Sequence, residues 1–103
     1  MGKVTTHETH KDMTTEALAT LVESIAGADP MRCNRSRPVV EARIILTQAL
    51  LTQGLTEEAV AEKLGFNRST INYYRERMRD AQQYGNAPEM LANWYKLKSL
   101  LDL

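Results

Sequence analysis

The chain has a single cysteine, Cys33, among 103 residues. One thiol cannot close an intramolecular disulfide and has no companions for a zinc site, so nothing directs the chain to an oxidising compartment. Long apolar runs are also missing: no stretch approaches the roughly 18 residues needed to cross a bilayer. The N-terminal MGKVTTHETHKDMTT holds no apolar stretch of the secretory kind, so a cytoplasmic location without membrane attachment is expected. There is no strand pattern, internal repeat or low-complexity tract. Nor is there an excess of either charge, since 13 Lys and Arg face 13 Asp and Glu. Taken whole, that balance argues against a nucleic-acid partner.

Catalytic constellations are absent too. His7 and His10 form H-x-x-H in a polar segment without the Glu-bearing helical frame of a metalloprotease, and Cys33 has no nearby His to activate it. Glu57 and Glu58 belong to a solvated first helical turn and do not converge on other carboxylates. A chain this short buries about 60 to 65% of its unfolded surface, enough for one core and too little for a deep cleft. No enzyme activity, metal or cofactor is expected.

What the chain does have is helical periodicity. Residues 1–14 are polar and read as a flexible leader. From Thr15 to Ala26, Ala17, Leu18, Leu21, Val22 and Ile25 share one face, and Gly27 supplies a stop. Residues 28–35 read as a loop. Ser36 is a candidate N-cap for a second helix, with Pro38 tolerated in its first turn. That helix carries Val40, Ile44, Ile45, Leu46, Ala49, Leu50 and Leu51 around much of its circumference, so it is expected at the centre, ending at Gly54.

Two capped starts follow. Thr56 is flanked by Leu55 and Val60, and Asn67 by Phe66 and Ile71, each pair spaced as a hydrophobic staple. Only Gly65 to Asn67 separate the two helices, which together predict a helix-turn-helix over residues 56–79. Ala61 supplies the small contact, Gly65 the turn and Ile71 the lock between the helices. Val60, Leu64, Phe66 and Tyr74 fill the remaining core positions. The second helix runs to about Tyr84, before Gly85, Asn86 and Pro88. A last one spans about Glu89 to Leu101, with Met90, Leu91, Trp94, Leu97, Leu100 and Leu101 in one stripe. The expected fold is all-α, a small five-helix domain over residues 15–103 with its core at 36–84.

Counting charge by segment changes the meaning of the zero. Residues 1–29 carry a net −3, residues 30–56 a net +3, residues 57–63 a net −2, residues 64–79 a net +3 and residues 80–103 a net −1. The positive segments are built from arginine: Arg32, Arg35, Arg37 and Arg43 in one, Arg68, Arg75, Arg77 and Arg79 in the other. Arginine suits phosphate because its planar fork donates paired bonds.

Turning Ile71, Tyr74 and Met78 inward leaves Arg68, Ser69, Asn72, Tyr73, Glu76 and Arg79 outward. Arg68 and Asn72 are the candidate base readers, since Arg pairs with guanine and Asn with adenine in the major groove. Ser69 and Thr70 stand at the helix start, where hydroxyls and N–H groups can hold a phosphate oxygen. Tyr73 could meet a thymine methyl or a phosphate, or lie partly in the core. Arg75 and Arg79 are candidate DNA contacts, and for Arg75, Arg77 and Arg79 alike the alternative is to solvate a helix face or pair with Glu76 and Asp80.

Two motifs carry a resemblance. RSRPVVEAR, Arg35 to Arg43, and NRSTINYY, Asn67 to Tyr74, make the stretch from Arg35 to Tyr74 similar to the C-terminal DNA-binding domain of the bacterial replication initiator DnaA, in the Trp-repressor-like helix-turn-helix group. The second motif resembles that family's D-H-[ST]-T-V-x-H signature. The resemblance implies binding of double-stranded DNA, with the basic approach at Arg35, Arg37 and Arg43 on the minor groove and backbone. It also implies that Asn67, Arg68, Ser69 and Thr70 occupy signature positions on the helix that reads the major groove. The turn is one residue shorter here and Asn67-Arg68 replaces Asp-His, so the box sequence is not implied. GFNRSTI is similar as well to segments of transposases, resolvases and phage regulators.

The competing reading is a protein-interaction or assembly module using the helix-turn-helix as scaffold. Trp94, Tyr95 and the Leu97, Leu100, Leu101 stripe, with the amphipathic residues 15–26, motivate it, since these faces must meet either a partner or the core formed with the three central helices. A homodimer through the terminal helices is compatible with both readings, because it would place two recognition helices on two half-sites.

Overall fold

The computed structural model describes residues 13–103 as five α-helices, and among these residues there is no strand. They are α1 (Thr15–Ala26), α2 (Arg37–Thr52), α3 (Glu57–Leu64), α4 (Arg68–Tyr84) and α5 (Pro88–Leu101). The all-α expectation and its five segments hold. Of the expected leader, residues 1–12 lie outside the described residues. Met13 and Thr14 belong to the domain instead: Met13 packs against the core, and the Thr14 hydroxyl accepts the Ala17 N–H at 3.1 Å to cap α1.

Helix starts follow their side chains, with two corrections. The Thr56 hydroxyl accepts the Ala59 N–H at 3.1 Å, the arrangement its position predicts. Ser36 and Asn67 hold the extended cap backbone but form no side-chain cap bond. The Ser36 hydroxyl donates to Asn34 Oδ1 at 3.0 Å, a local loop bond that takes it from the helix end.

The connection between α3 and α4 is made by the backbone of Gly65, at φ 76°. Its N–H and that of Phe66 both donate to the Ala61 carbonyl, at 2.9 and 3.0 Å. This left-handed ending turns the chain within three residues and lets Phe66 fold back onto the core. A Cβ at Gly65 would meet no atom within 4 Å, so its glycine is required by torsion and not by space.

α2 is the centre, as its apolar circumference predicts. It packs against all four other helices and buries Val39, Ala42, Ile44, Ile45, Leu46, Ala49 and Leu50. Each fully buried Ile or Leu contributes about 1.5–3 kcal/mol from water exclusion. α1 adds Leu18, Ala19 and Val22, while Ala17, expected on the same face, is exposed.

From α5, Met90, Trp94, Leu97 and Leu101 are buried in the same core. The stripe expected to face either core or partner therefore faces the core. Leu100, expected within it, stands 54% exposed, as does much of Tyr95, five positions earlier on the helix.

Candidate nucleic-acid interface

α4 is divided sharply between its two sides. Ile71, Tyr74, Met78 and Ala81 are buried at three- and four-residue spacing, which fixes the helix against α2, α3 and α5. Ser69, Asn72, Glu76 and Asp80 run along the opposite side and are exposed. Arg68, Arg75 and Arg79 flank that side toward α3 and α2, and Tyr73 and Arg77 flank it toward the loop of residues 27–36.

On the α3 flank the arginines meet carboxylates. Arg75 Nη1 donates to Glu57 Oε2 at 2.5 Å, and Arg68 Nε approaches Glu57 Oε1 at 3.5 Å. Arg68 Nη1 also approaches Glu58 Oε2 at 3.4 Å. The Glu57 side chain is only 15% exposed, whereas Arg68 and Arg75 project into solvent. The Arg75 hydrogen bond holds the Glu57 carboxyl below its ordinary range. Partial burial opposes that shift, and Arg68 adds to it. Arg79 Nη2 lies 3.9 Å from Glu76, a loose pair on an exposed face. Of the acidic partners expected for the α4 arginines, Glu76 takes part and Asp80 forms no ion pair among the described residues. Glu57, eighteen positions from Arg75, replaces it.

On the other flank, Arg77 Nη1 donates to the Tyr73 hydroxyl at 3.1 Å, with its guanidinium 5.9 Å from the Tyr73 ring centre. Tyr73 is exposed, so its alternative placement in the core does not occur. A groove of about 690 Å³ separates this flank from the loop, lined by Cys33, Asn34, Arg35, Thr70 and Tyr73 at its rim and Val40, Arg43, Phe66 and Tyr74 at its floor. Arg35 thus lies beside the α4 surface, and no ion-pair partner for it occurs among the described residues. Thr70 is half-buried at the groove wall, and Ser69 and Asn67 are exposed near the N-terminus of α4.

Two arginines from the first basic segment depart from the expected surface. Arg37 lines a different groove, with Ala26, Pro88 and Asn93, and pairs with Glu41 at 3.1 Å. It is not brought together with α4. Arg43 is 8% exposed, and its Nε donates to the Pro30 carbonyl at 2.9 Å while Nη2 donates to the Arg32 carbonyl. Its guanidinium sits 5.4 Å from the centre of the Phe66 ring, which meets Tyr74 edge-on at 6.1 Å. The expected contact surface therefore loses Arg43, whose fork is already occupied by loop carbonyls. It braces the loop to α2 and, through two aromatic rings, to α4.

Sequence reasoning missed Glu57 as an arginine partner and Arg43 as a brace. The first left a faint signal, because a carboxylate in the first turn of α3 is near the start of α4 whenever the turn between them is short. Among the described residues no cluster of His, Cys, Asp and Glu could hold a metal ion, and no helix is long and apolar enough to cross a membrane. No family model matches the chain, and no curated protein or solved structure matches it significantly.

Proposed function

We propose that the chain binds double-stranded DNA and reads base edges in the major groove with the N-terminal half of α4. The observation that carries this reading is the two-sidedness of α4. Its apolar residues are consumed by the core, and its exposed side presents Arg68, Ser69, Asn72, Tyr73, Arg75 and Arg79 over about 17 Å of helix. A major groove about 12 Å wide admits such a helix, with Arg68 and Asn72 near its leading end. Ser69 and Thr70, whose hydroxyls stand in the first turn of α4 at the positive end of the helix, suit a phosphate oxygen. Arg35 across the groove adds a second point of positive charge beside the same surface. The resemblance to the DnaA and Trp-repressor-like DNA-binding group supports the same ligand class without supplying a target sequence. The interaction-module reading loses its main motive, because the α5 stripe is used inside the core.

Selection of bound duplexes from a random pool tests the proposal. A shared motif is expected, and Arg68→Ala or Asn72→Ala should then cost about 1–3 kcal/mol on that motif and relax preference at one position. Failure to enrich any sequence, or binding indifferent to salt, refutes it.

A further inference from the structure

The paired carboxylates at the start of α3 stand where a DNA-binding surface would be expected to carry none. Glu57 is largely covered, holds Arg75 tightly and Arg68 loosely, and faces the flank of α4 that carries both. Glu58 is exposed and touches Arg68 alone. Arg68, Arg75, Glu57 and Glu58 sum to zero charge, so this cluster is electrically neutral although both its arginines project into solvent.

We propose that Glu57 is a specificity-determining residue that competes with DNA phosphates for Arg68 and Arg75, and so suppresses sequence-independent binding. The inference rests on the DNA-binding reading above. Non-specific affinity comes from cations that displace condensed counterions from phosphates. An arginine already paired with a carboxylate gains little by exchanging it for a phosphate, and the displaced carboxylate is left facing a polyanion. A base edge offers neutral acceptors instead, and the Glu57 pairing leaves Arg68 donors available for it. The 3.5 and 3.4 Å contacts of Arg68 are the ones a base edge would most readily replace, while the 2.5 Å Arg75 bond keeps Glu57 in place. The carboxylate thereby penalises phosphate-only engagement more than engagement that includes bases.

The experiment measures binding of the full chain to a short fluorescent duplex of randomised sequence between 50 and 200 mM salt. It compares wild type, Glu57→Gln, Glu58→Gln and Glu62→Gln, with thermal melts to confirm folding. Glu62 is an exposed α3 carboxylate without an ion pair among the described residues, so its variant makes the same charge change without touching the arginines. Glu57→Gln frees Arg75 and leaves Arg68 only its 3.4 Å approach to Glu58, which adds up to about 1.8 to the magnitude of the logarithmic salt slope and makes affinity fall up to about twelvefold more steeply over this range. Glu58→Gln, which frees one contact of Arg68 and keeps the Glu57 pairs, should give a smaller change of the same sign, and it remains informative if Glu57→Gln does not fold. Glu62→Gln should change the slope least. If wild type binds and the Glu57 and Glu58 variants are unchanged or weaker, competition is overturned while DNA binding stands. Equal gains in all three variants would assign the effect to net charge and overturn it also. If neither wild type nor any variant binds at 50 mM salt, the DNA-binding reading itself falls.

Discussion

Replacing Arg43 by Ala separates a structural arginine from a DNA contact. The substitution removes two charge-assisted hydrogen bonds, to the carbonyls of Pro30 and Arg32, and the stacking of a guanidinium on Phe66. Hydrogen bonds to charged groups are worth about 1.5–3 kcal/mol each, and the low end is the minimum here, since the Pro30 bond is buried and the Arg32 bond part-buried. The contact with the Phe66 ring adds about 0.5–1 kcal/mol. The total, about 3.5 kcal/mol, is a large part of the stability of a small domain. Near the transition it corresponds to a Tm about 15–20 °C lower, read by far-ultraviolet circular dichroism. Arg37→Ala is the internal control. It removes one exposed pair with Glu41, worth about 0.3–0.5 kcal/mol, and should shift Tm by no more than a few degrees. An Arg43→Ala protein that melts like wild type but binds DNA less tightly would refute the brace and restore Arg43 to the contact surface.

Three further outcomes are expected. Thr47 is fully buried and its Oγ1 has no hydrogen-bond partner among the described residues, so Thr47→Val should raise stability by about 1 kcal/mol in denaturant unfolding; a loss would mean that the hydroxyl is satisfied. Leu97→Asp places a carboxylate at a fully buried position and should abolish the helical signal in circular dichroism, whereas a folded monomeric variant would move the α5 stripe to an interface. Because Arg75 and Arg68 hold Glu57 below its ordinary range, that pairing contributes stability in full above about pH 5, and the contribution disappears as pH falls through the depressed value. Glu57→Gln should accordingly show a smaller acid-induced loss of stability between about pH 5 and 3 than wild type, and identical profiles would refute the assignment.

Periodicity made the helices legible in the sequence, because each helix declares its buried face every three or four residues and glycine or proline punctuates the joints. Gly27, Gly54, Gly65 and Gly85 all have positive φ at or just beyond a helix end. The exposed side of α4 was legible for the same reason, since Ile71, Tyr74 and Met78 fix its rotation. What periodicity does not convey is which residues from different helices meet. Arg43 reads as one more basic residue until the loop is seen to fold over it. Glu57 reads as a favourable charge at a helix start until the short turn brings it against Arg75. Ser36 and Asn67 show the complementary limit: both have the right residue type for a cap, and local competition or backbone alone decides whether the side chain makes the bond.

The position of α2 has a consequence for how the chain can be taken apart. Every other helix rests on it, so no smaller piece retains a closed core, and a fragment comprising only α3 and α4 would leave Ile71, Met78 and Leu64 facing water. Unfolding is therefore expected to be cooperative across the helices, with the amides of Ile44 to Leu50 among the slowest to exchange with solvent. The surface offered by α4 then exists only while the entire domain is folded, and any event that unseats α2 removes it in one step.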